Sequence, residues 1–525
     1  MNRRWKRLLC PTFFSLVILV LLGVNYFSAF GDLDYTWQIR TGEKILATGD
    51  LVPSDSFTYT IAGQRVPEFE GPYEVGLALI WRTFGYGGLK FLKTVLVALP
   101  LFLLGLRLRQ LAVPWHHVFA AVGVAIFVLI PCWNLRPYYF TTLGLIITTW
   151  MLQDHCFQRR PLPWFFPLVL CTWANLHPGV ITGQGLICGA IGWEWCNRLL
   201  RWNTPLDKSQ CWRLTLIGGL ALAATFFSPH PVERFLYPFS ADVKHSVQKL
   251  FVEMQPAYLH LTDPNHLSLW LIYAITAAVA YSVVIRFRDY RMWELALLLG
   301  VTGLANLALR SLQDWTYITL LVGVPRLSAL VRESQGSRNA VLGLLHRLDR
   351  SLKGIVASRW FRPNFVWPAV GFGLLLFLSV VPVLSKQMPV QDGKQWPSAA
   401  LDWCQEHDLH GNFFASPDFG SFIEWKLGDK ARAYTDTRGF FFSGMLLEDS
   451  LLTPQLCPDW RERLNRILDK GTDYFLLETE GARGQLWQHL RPNIPDPLYL
   501  DSQAVVLSAT QVRKALAMLS GSRNT

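Results

Sequence analysis

The sequence predicts a mainly α membrane protein with about eleven transmembrane helices, followed by a C-terminal extracytoplasmic α/β domain. Of its 525 residues, 51% are hydrophobic and 17% are charged, whereas soluble proteins average about 25% charged residues. Apolar runs of roughly 18 residues recur before residue 390, and such runs can cross the hydrocarbon core of a bilayer. After residue 390, short β-rich runs alternate with amphipathic helical stretches, which is typical of a small α/β domain.

The first transmembrane helix is predicted over residues 9–30, because this apolar run is too long for a signal peptide and lacks a small-residue cleavage site. The other predicted spans are 89–106, 113–131, 138–153, 163–176, 179–197, 214–229, 267–285, 292–309, 313–330 and 364–385. We therefore predict a multi-spanning membrane domain over residues 1–388, with a first outer loop at 31–88, and a soluble domain over 389–525.

The basic residues predict the orientation of the protein in the membrane. They cluster in alternate loops, as the positive-inside rule requires of cytoplasmic loops; examples are Arg107, Arg109, Arg159, Arg160, Arg198, Arg201, Arg286 and Arg288. This pattern predicts a multi-pass protein of the inner (plasma) membrane, with a cytoplasmic N-terminus and an extracytoplasmic C-terminal domain. Because the net charge of +11 resides in these loops, no nucleic-acid partner is expected.

In the soluble domain, β-strands are predicted at 412–416, 431–437, 473–479 and 504–509, and amphipathic helices at 397–408 and 459–470. The alternation of the two patterns is the reason for expecting a small α/β domain.

Carboxylates concentrate in the first outer loop. Asp32 and Asp34 follow directly on the first predicted span, and Asp55 and Glu70 come later in the loop. Acidic side chains are costly close to lipid, so such positions often mark a functional site. Asp55 and Glu70 are accordingly predicted to bind substrate.

Polar residues from later segments are predicted to reach the same outer face. Arg136 and Arg310 could hold a phosphate, because the guanidinium group is always charged and offers a fork of donors. His177 could donate to that phosphate or orient a carboxylate. A carboxylate near an acceptor hydroxyl could remove its proton, and we predict Asp34 for this role, with Asp32 as the second choice.

Each of these residues also has a structural interpretation. Asp32 and Asp34 could cap an interfacial helix, Arg136 and Arg310 could reach lipid headgroups, and His177 could be a turn residue.

The sequence contains no phosphate-binding loop, dinucleotide fingerprint or HExxH motif, so no cofactor is predicted with certainty, although the carboxylates could bind a divalent metal. Several aromatic residues are predicted to form an interface belt, namely Trp133, Tyr138, Tyr139 and Trp315.

The loop GDLDYTWQIRTGEKILATGDLVPSDSFTYT, with EFEGPYE before the next apolar helix, resembles the GT-C superfamily of membrane glycosyltransferases. The resemblance is greatest to the branch related to dolichyl-phosphate-mannose protein mannosyltransferases. It extends over most of the chain, through the segments NLRPYYF, NLHPG, LALRSLQDW, DFGSFIEWKL and AYTDTRG. The sequence departs from that branch at Gln38, at Gly71 and Pro72, and at the SPHP turn of 228–231.

The resemblance implies that an acidic residue of the first outer loop acts as a base and that the donor is a polyprenyl-phosphate-linked sugar. Carried over to this chain, the base is Asp34 with Asp32 beside it, while Arg136, His177 and Arg310 match positions that carry polar groups. We therefore predict an inverting glycosyltransferase that transfers a sugar to a hydroxyl of a glycan, lipid or protein. Two alternatives are a non-catalytic binding or assembly protein of an envelope glycan pathway and a lipid-linked glycan transporter.

Overall fold

The computed structural model describes residues 33–51, 54–66, 69–201, 205–236, 250–333, 339–356 and 396–521. These residues form two compact units. The helical unit contains the described residues of 84–231 and 253–356, and the mixed unit contains those of 33–83, 232–252 and 396–521. Asp32, the predicted spans 9–30 and 364–385, and the predicted domain boundary at 388 lie outside the described residues.

The helices are numbered along the chain: α1 Asp34–Thr48, α2 Gly71–Gln110, α3 Trp115–Leu129, α4 Tyr139–Gln158, α5 Phe166–Leu176, α6 Val180–Leu200, α7 Lys208–Ala224, α8 Pro231–Leu236, α9 Leu269–Ile285, α10 Met292–Leu307, α11 Leu312–Glu333 and α12 Ala340–Val356. Every span predicted between residues 89 and 330 coincides with a helix. α2 is kinked at Gly85, whose φ of 58° lies in the left-handed region that glycine adopts without steric cost.

Among the described residues, two helices are long and apolar enough to cross a membrane, namely α2 and α3 extended by a turn to Cys132. Helices α5, α9 and α10 are apolar but shorter. The described residues thus confirm a mostly helical protein, whereas the predicted number of eleven transmembrane helices is not confirmed.

α11 is the central helix of the helical unit, where it packs against α3, α4, α9 and α10. Residues 312–323 of α11 are all buried, as expected of a helix surrounded by other helices. Trp315 is 0% exposed and its indole N–H donates to Thr276 Oγ1 at 3.0 Å. Tyr139 is also buried. The prediction that these two aromatics belong to an interface belt was therefore wrong.

Buried ion pairs join the helix ends on the side that carries the predicted cytoplasmic loops. Arg107 pairs with Asp154 at 2.5 Å, and Arg291 pairs with Glu194 at 3.3 Å. Removing one partner of such a pair leaves an uncompensated buried charge and is strongly destabilising. These two arginines, both of which the positive-inside pattern had counted as loop residues, therefore also hold helices together.

The sheet of the mixed unit has five strands: β1 Gly411–Phe414, β2 Ala431–Ala433, β3 Tyr474–Glu478, β4 Tyr499–Leu500 and β5 Ala504–Ser508. Their order is β2-β1-β3-β5-β4, with β1 parallel to β2 and β3, and β5 antiparallel to β3 and β4. The register pairs Phe413 with Tyr474 and Phe475 with Leu507. All four predicted strands are confirmed, and the short β4 is additional.

The helices of this C-terminal segment are α13 Ser398–Glu406, α14 Pro417–Leu427, α15 Gly444–Leu452, α16 Trp460–Asp469, α17 Gln485–Leu490 and α18 Ala509–Gly521. The two predicted amphipathic helices correspond to α13 and α16. Part of the predicted first outer loop also joins the sheet. The Ala433 N–H donates to the Phe57 carbonyl at 3.0 Å, and the Tyr59 N–H donates to the Ala433 carbonyl at 3.1 Å. Residues 57–59 thus continue the sheet beyond β2.

Candidate functional site

Polar side chains of the helical unit meet around Tyr138, which directly precedes α4. Asp314 belongs to the first turn of α11, and Arg310 lies in the 3₁₀ turn Leu309–Ser311 just before that helix. Because α4 and α11 pack against each other, the beginnings of both helices bring these residues together. We call Tyr138, Thr142, His177, Arg310 and Asp314 the Tyr138 cluster.

Hydrogen bonds and ring contacts define the cluster. The Tyr138 hydroxyl donates to Asp314 Oδ2 at 2.6 Å, and the Thr142 hydroxyl donates to Asp314 Oδ1 at 2.8 Å. The Arg310 guanidinium lies 5.8 Å from the centroid of the Tyr138 ring, within the range of a cation–π interaction. Tyr138 therefore connects a buried carboxylate to an arginine.

His177 is held in one tautomer by its surroundings. Its Nδ1 accepts from the Gly179 N–H at 3.0 Å and lies 2.7 Å from Thr141 Oγ1. The Trp173 indole N–H donates to that same Thr141 oxygen at 3.2 Å, which leaves the threonine hydroxyl hydrogen for His177. The neutral ring therefore carries its proton on Nε2. The ring meets Tyr138 edge-on, with centroids 5.4 Å apart.

The glycine of the NLHPG turn is required by this arrangement. A Cβ added at Gly179 would lie 2.1 Å from Thr141 Oγ1 and 2.9 Å from His177 Nδ1. Any larger residue would displace one of the two groups that orient the imidazole.

Arg136 lies two residues before Tyr138 and pairs with Glu253 at 2.6 Å. Burial alone would raise the pKa of Glu253, but the charges of Arg136 and Arg310 outweigh this effect and lower that pKa. Arg310 Nη1 also lies 3.8 Å from Met254 Sδ. The structure thus brings Arg136, His177 and Arg310 into one region of the helical unit, where Glu253 is the carboxylate partner of Arg136.

The remaining predicted site residues that the structure describes belong to the mixed unit. Asp34 is the first residue of α1 and is half-buried. A carboxylate at this end of a helix is stabilised by the helix dipole. The Glu70 carbonyl accepts from the Tyr73 N–H at 2.8 Å where α2 begins. Burial lowers the pKa of nearby Arg234 to about 10, an effect that the charge of Glu70 partly offsets.

Asp55 is buried in a network centred on Arg438. Its Oδ1 pairs with Arg438 Nη2 at 2.6 Å, and its Oδ2 accepts from the Thr58 N–H at 3.0 Å and from the Thr58 hydroxyl at 2.8 Å. Arg438 Nε also donates to Asp436 Oδ2 at 2.9 Å. The oxygens of Asp55 are therefore engaged within the protein, and its predicted role in substrate binding stays a prediction.

Several residues of these networks were not selected from the sequence. Tyr138 was assigned to the aromatic belt, and Thr141, Thr142 and Arg438 were not considered. The signal for the threonines was a polar pair in the first turn of the helix, directly after three aromatic residues. For Arg438 it was the TDTRG segment, which places a charged residue directly after a predicted strand.

No protein-family model matches the sequence, and no curated protein matches it. Among solved structures, an apo oligosaccharyltransferase from Archaeoglobus fulgidus has a TM-score of 0.53 at 13% identity, covering 91% of this chain and 70% of that chain. The archaeal oligosaccharyltransferase AglB from the same organism, in complex with an inhibitory peptide and a dolichol-phosphate, has a TM-score of 0.53 at 12% identity, covering 91% and 70%.

A third structure is the A. fulgidus oligosaccharyltransferase tethered by a disulfide to an acceptor peptide containing the NVT sequon. It has a TM-score of 0.51 at 13% identity, covering 89% of this chain and 68% of that chain. At these identities the comparison concerns the fold, and the mannosyltransferase branch stays a prediction. The chain is similar in fold to an archaeal oligosaccharyltransferase, and the predicted GT-C resemblance is confirmed at the level of the fold.

Proposed function

We propose that this protein is a GT-C-type glycosyltransferase that moves a sugar from a polyprenyl-phosphate carrier to a hydroxyl acceptor on the outer face of the membrane. The observation that carries the proposal is the convergence of Arg136, His177 and Arg310 around Tyr138. The fold supports it, because one structural neighbour binds a dolichol-phosphate and another is tethered to an acceptor peptide.

In the proposed reaction, the two arginines and the Nε2–H of His177 hold the donor phosphate. Arg136 exchanges its Glu253 partner for a phosphate oxygen, and Tyr138 keeps Arg310 in place through the face of its ring. Donors prearranged for the charge that develops on the leaving phosphate lower the barrier to its departure. This role requires an anion with at least two oxygens, which a phosphate monoester or diester provides.

Asp34 is proposed as the base. It takes the proton of the acceptor hydroxyl while the oxygen bonds to the sugar carbon, and the carbon–oxygen bond to the phosphate breaks with its electron pair leaving on the phosphate. A direct displacement of this kind inverts the configuration at the sugar carbon. Asp32 is the second candidate for the base.

The test is a transfer assay with the purified full chain in lipid, a panel of radiolabelled polyprenyl-phosphate sugars, and membrane extract or peptides as acceptor. We expect Asp34→Asn to lower transfer by about 10²–10⁴-fold, the usual contribution of a general base. Removing one donor through Arg310→Gln should cost about 10²–10³-fold. Asp50→Asn, an exposed acid of the same predicted loop, is the matched control and should retain transfer.

Normal transfer by a folded Asp32→Asn, Asp34→Asn double variant would exclude both acids as the base. Carrier binding without transfer from any donor would favour the non-catalytic binding protein. Movement of labelled carrier across sealed vesicles, without loss of its sugar, would favour the transporter. A labelled peptide product would instead show that the acceptor is a peptide, the kind of acceptor tethered to the structural neighbour.

A further inference from the structure

The segment YLHLTDPNHL, which leads into α9, places two histidines and an aspartate at intervals of three residues: His260, Asp263 and His266. The backbone turns with the same period, since the Asp263 N–H donates to the His260 carbonyl at 3.1 Å and the His266 N–H to the Asp263 carbonyl at 2.9 Å. In a 3₁₀ conformation, side chains three residues apart lie on the same face. The three side chains therefore line one edge of the segment.

These side chains converge. One ring nitrogen of each histidine and one oxygen of Asp263 all lie within 4.8 Å of one another. The His260 and His266 rings have centroids 5.3 Å apart, and His266 Nδ1 lies 2.9 Å from Asp263 Oδ2. One oxygen of Asp263 and one nitrogen of each imidazole are therefore close enough together to share a single ion.

His260 provides an independent indication of a ligand. The residue is 9% exposed, and within the part of the chain that the structure describes its Nε2 is buried without a hydrogen-bond partner. A buried polar atom without a partner carries a free-energy cost, which coordination of a cation would remove. The second group of two histidines and an aspartate in the described residues, His116, His117 and Asp349, differs because Lys353 Nζ lies 2.5 Å from that carboxylate.

We propose that His260, Asp263 and His266 bind a divalent transition metal ion of the Zn²⁺ class. Two imidazoles and one carboxylate are ligands that zinc accepts, with a further position open to water. Mg²⁺ and Ca²⁺ prefer sets made of oxygen ligands only, so neither should compete effectively.

A bound ion would fix a segment that follows directly on residues in contact with Arg136 and Arg310. Glu253 and Met254, which contact Arg136 and Arg310, lie just before it in the chain. The Gln255 carbonyl accepts from the Leu309 N–H at 2.8 Å, and the Leu261 carbonyl accepts from the Trp270 indole N–H at 2.9 Å. A metal at His260 would fix the middle of this connection. The proposal concerns metal binding and does not depend on glycosyl transfer.

The test uses the purified full chain, stripped of metal with a chelator and titrated with Zn²⁺ against a chromogenic competitor. We expect His260→Gln, His266→Gln and Asp263→Asn each to weaken one Zn²⁺-binding event by at least about tenfold, because even substitutions outside the ligand set cost about 10–100-fold. His410→Gln, at an exposed histidine of the mixed unit, and His116→Gln should leave that event unchanged.

A second measurement needs no variant and so does not depend on the variants folding. Zn²⁺ should protect His266 of the wild-type protein from acylation by diethylpyrocarbonate, mapped by mass spectrometry, while exposed His410 remains reactive. The proposal would be overturned by any of three results. These are equal Zn²⁺ affinity in all the variants, loss of binding with His116→Gln alone, and equal acylation of His266 with and without Zn²⁺.

Discussion

Around Arg438, one buried cation is surrounded by three buried carboxyl groups. Asp55 and Asp436 are paired with its guanidinium, and Glu424 is buried beside them. Burial raises the pKa of Glu424 well above its usual value, and the charge of Asp436 raises it further, while Arg438 only partly offsets both effects. Since two carboxylates already balance the single arginine, we expect Glu424 to be protonated in the folded protein.

This assignment predicts a pH dependence of stability. A carboxyl group with a raised pKa binds its proton more tightly when folded, so its stabilising contribution is complete below the unfolded pKa and is lost as pH rises through the folded pKa. Glu424→Gln keeps a neutral side chain and removes this loss. We expect the variant to gain stability over the wild type as pH increases above about 4.3, by about 1.4 kcal/mol for each unit of the pKa shift.

The measurement is thermal unfolding of the full chain in detergent between pH 4 and pH 9. Glu406→Gln, an exposed glutamate of α13, is the matched control and should follow the wild-type curve. A Glu424→Gln curve that stays parallel to wild type would show that Glu424 is charged in the folded protein.

At the scale of the helix, α1 and the first turns of α2 pack so closely that only glycine fits at their crossing. A Cβ added at Gly42 would lie 2.1 Å from the Glu74 carbonyl oxygen and 2.9 Å from the Val75 nitrogen. Both obstacles are backbone atoms, which cannot rotate away. The ion pair between Arg82 and Glu43, at 3.5 Å, joins the same two helices.

Gly42→Ala should therefore destabilise the mixed unit. Overpacking costs about 1–3 kcal/mol and outweighs the gain of up to about 1 kcal/mol that alanine offers over glycine in a helix. Gly76→Ala is the matched control, because an added Cβ there meets nothing within 4 Å and the change should be neutral or slightly stabilising. The melting temperatures of both variants test the prediction, and a Gly42→Ala protein as stable as Gly76→Ala would contradict the close contact.

For the molecule as a whole, the apolar helices and the fold of its structural neighbours indicate a membrane protein. The orientation remains a prediction from the positive-inside rule. Alkaline phosphatase fused after residue 525 should be active, because that enzyme folds only outside the cytoplasm, whereas a fusion after Arg160 should be inactive. Fluorescence of a cytoplasm-folding reporter at the same two positions should show the opposite pattern. An inactive phosphatase at residue 525 would place the C-terminal segment inside.

Features that depend on local periodicity were predictable. The spans between residues 89 and 330 and the four strands after residue 411 appear as helices and strands, because apolar runs and alternation reflect which face of an element is buried. The candidate site was predictable only in part. Arg136, His177 and Arg310 do lie in one region, but the sequence did not show that Tyr138 joins them or that Glu253 pairs with Arg136.

The sequence by itself determined that the chain is mostly helical, with apolar spans and a small α/β segment, since hydrophobic patterning and turn residues act over short distances. Only the tertiary structure decided which polar groups become partners. Asp55 and Arg438 are 383 residues apart, and Tyr138 and Asp314 are 176 residues apart. Neither pairing leaves a local signal, because a buried charge or hydroxyl is satisfied by whichever group the packing of distant elements brings within hydrogen-bonding distance.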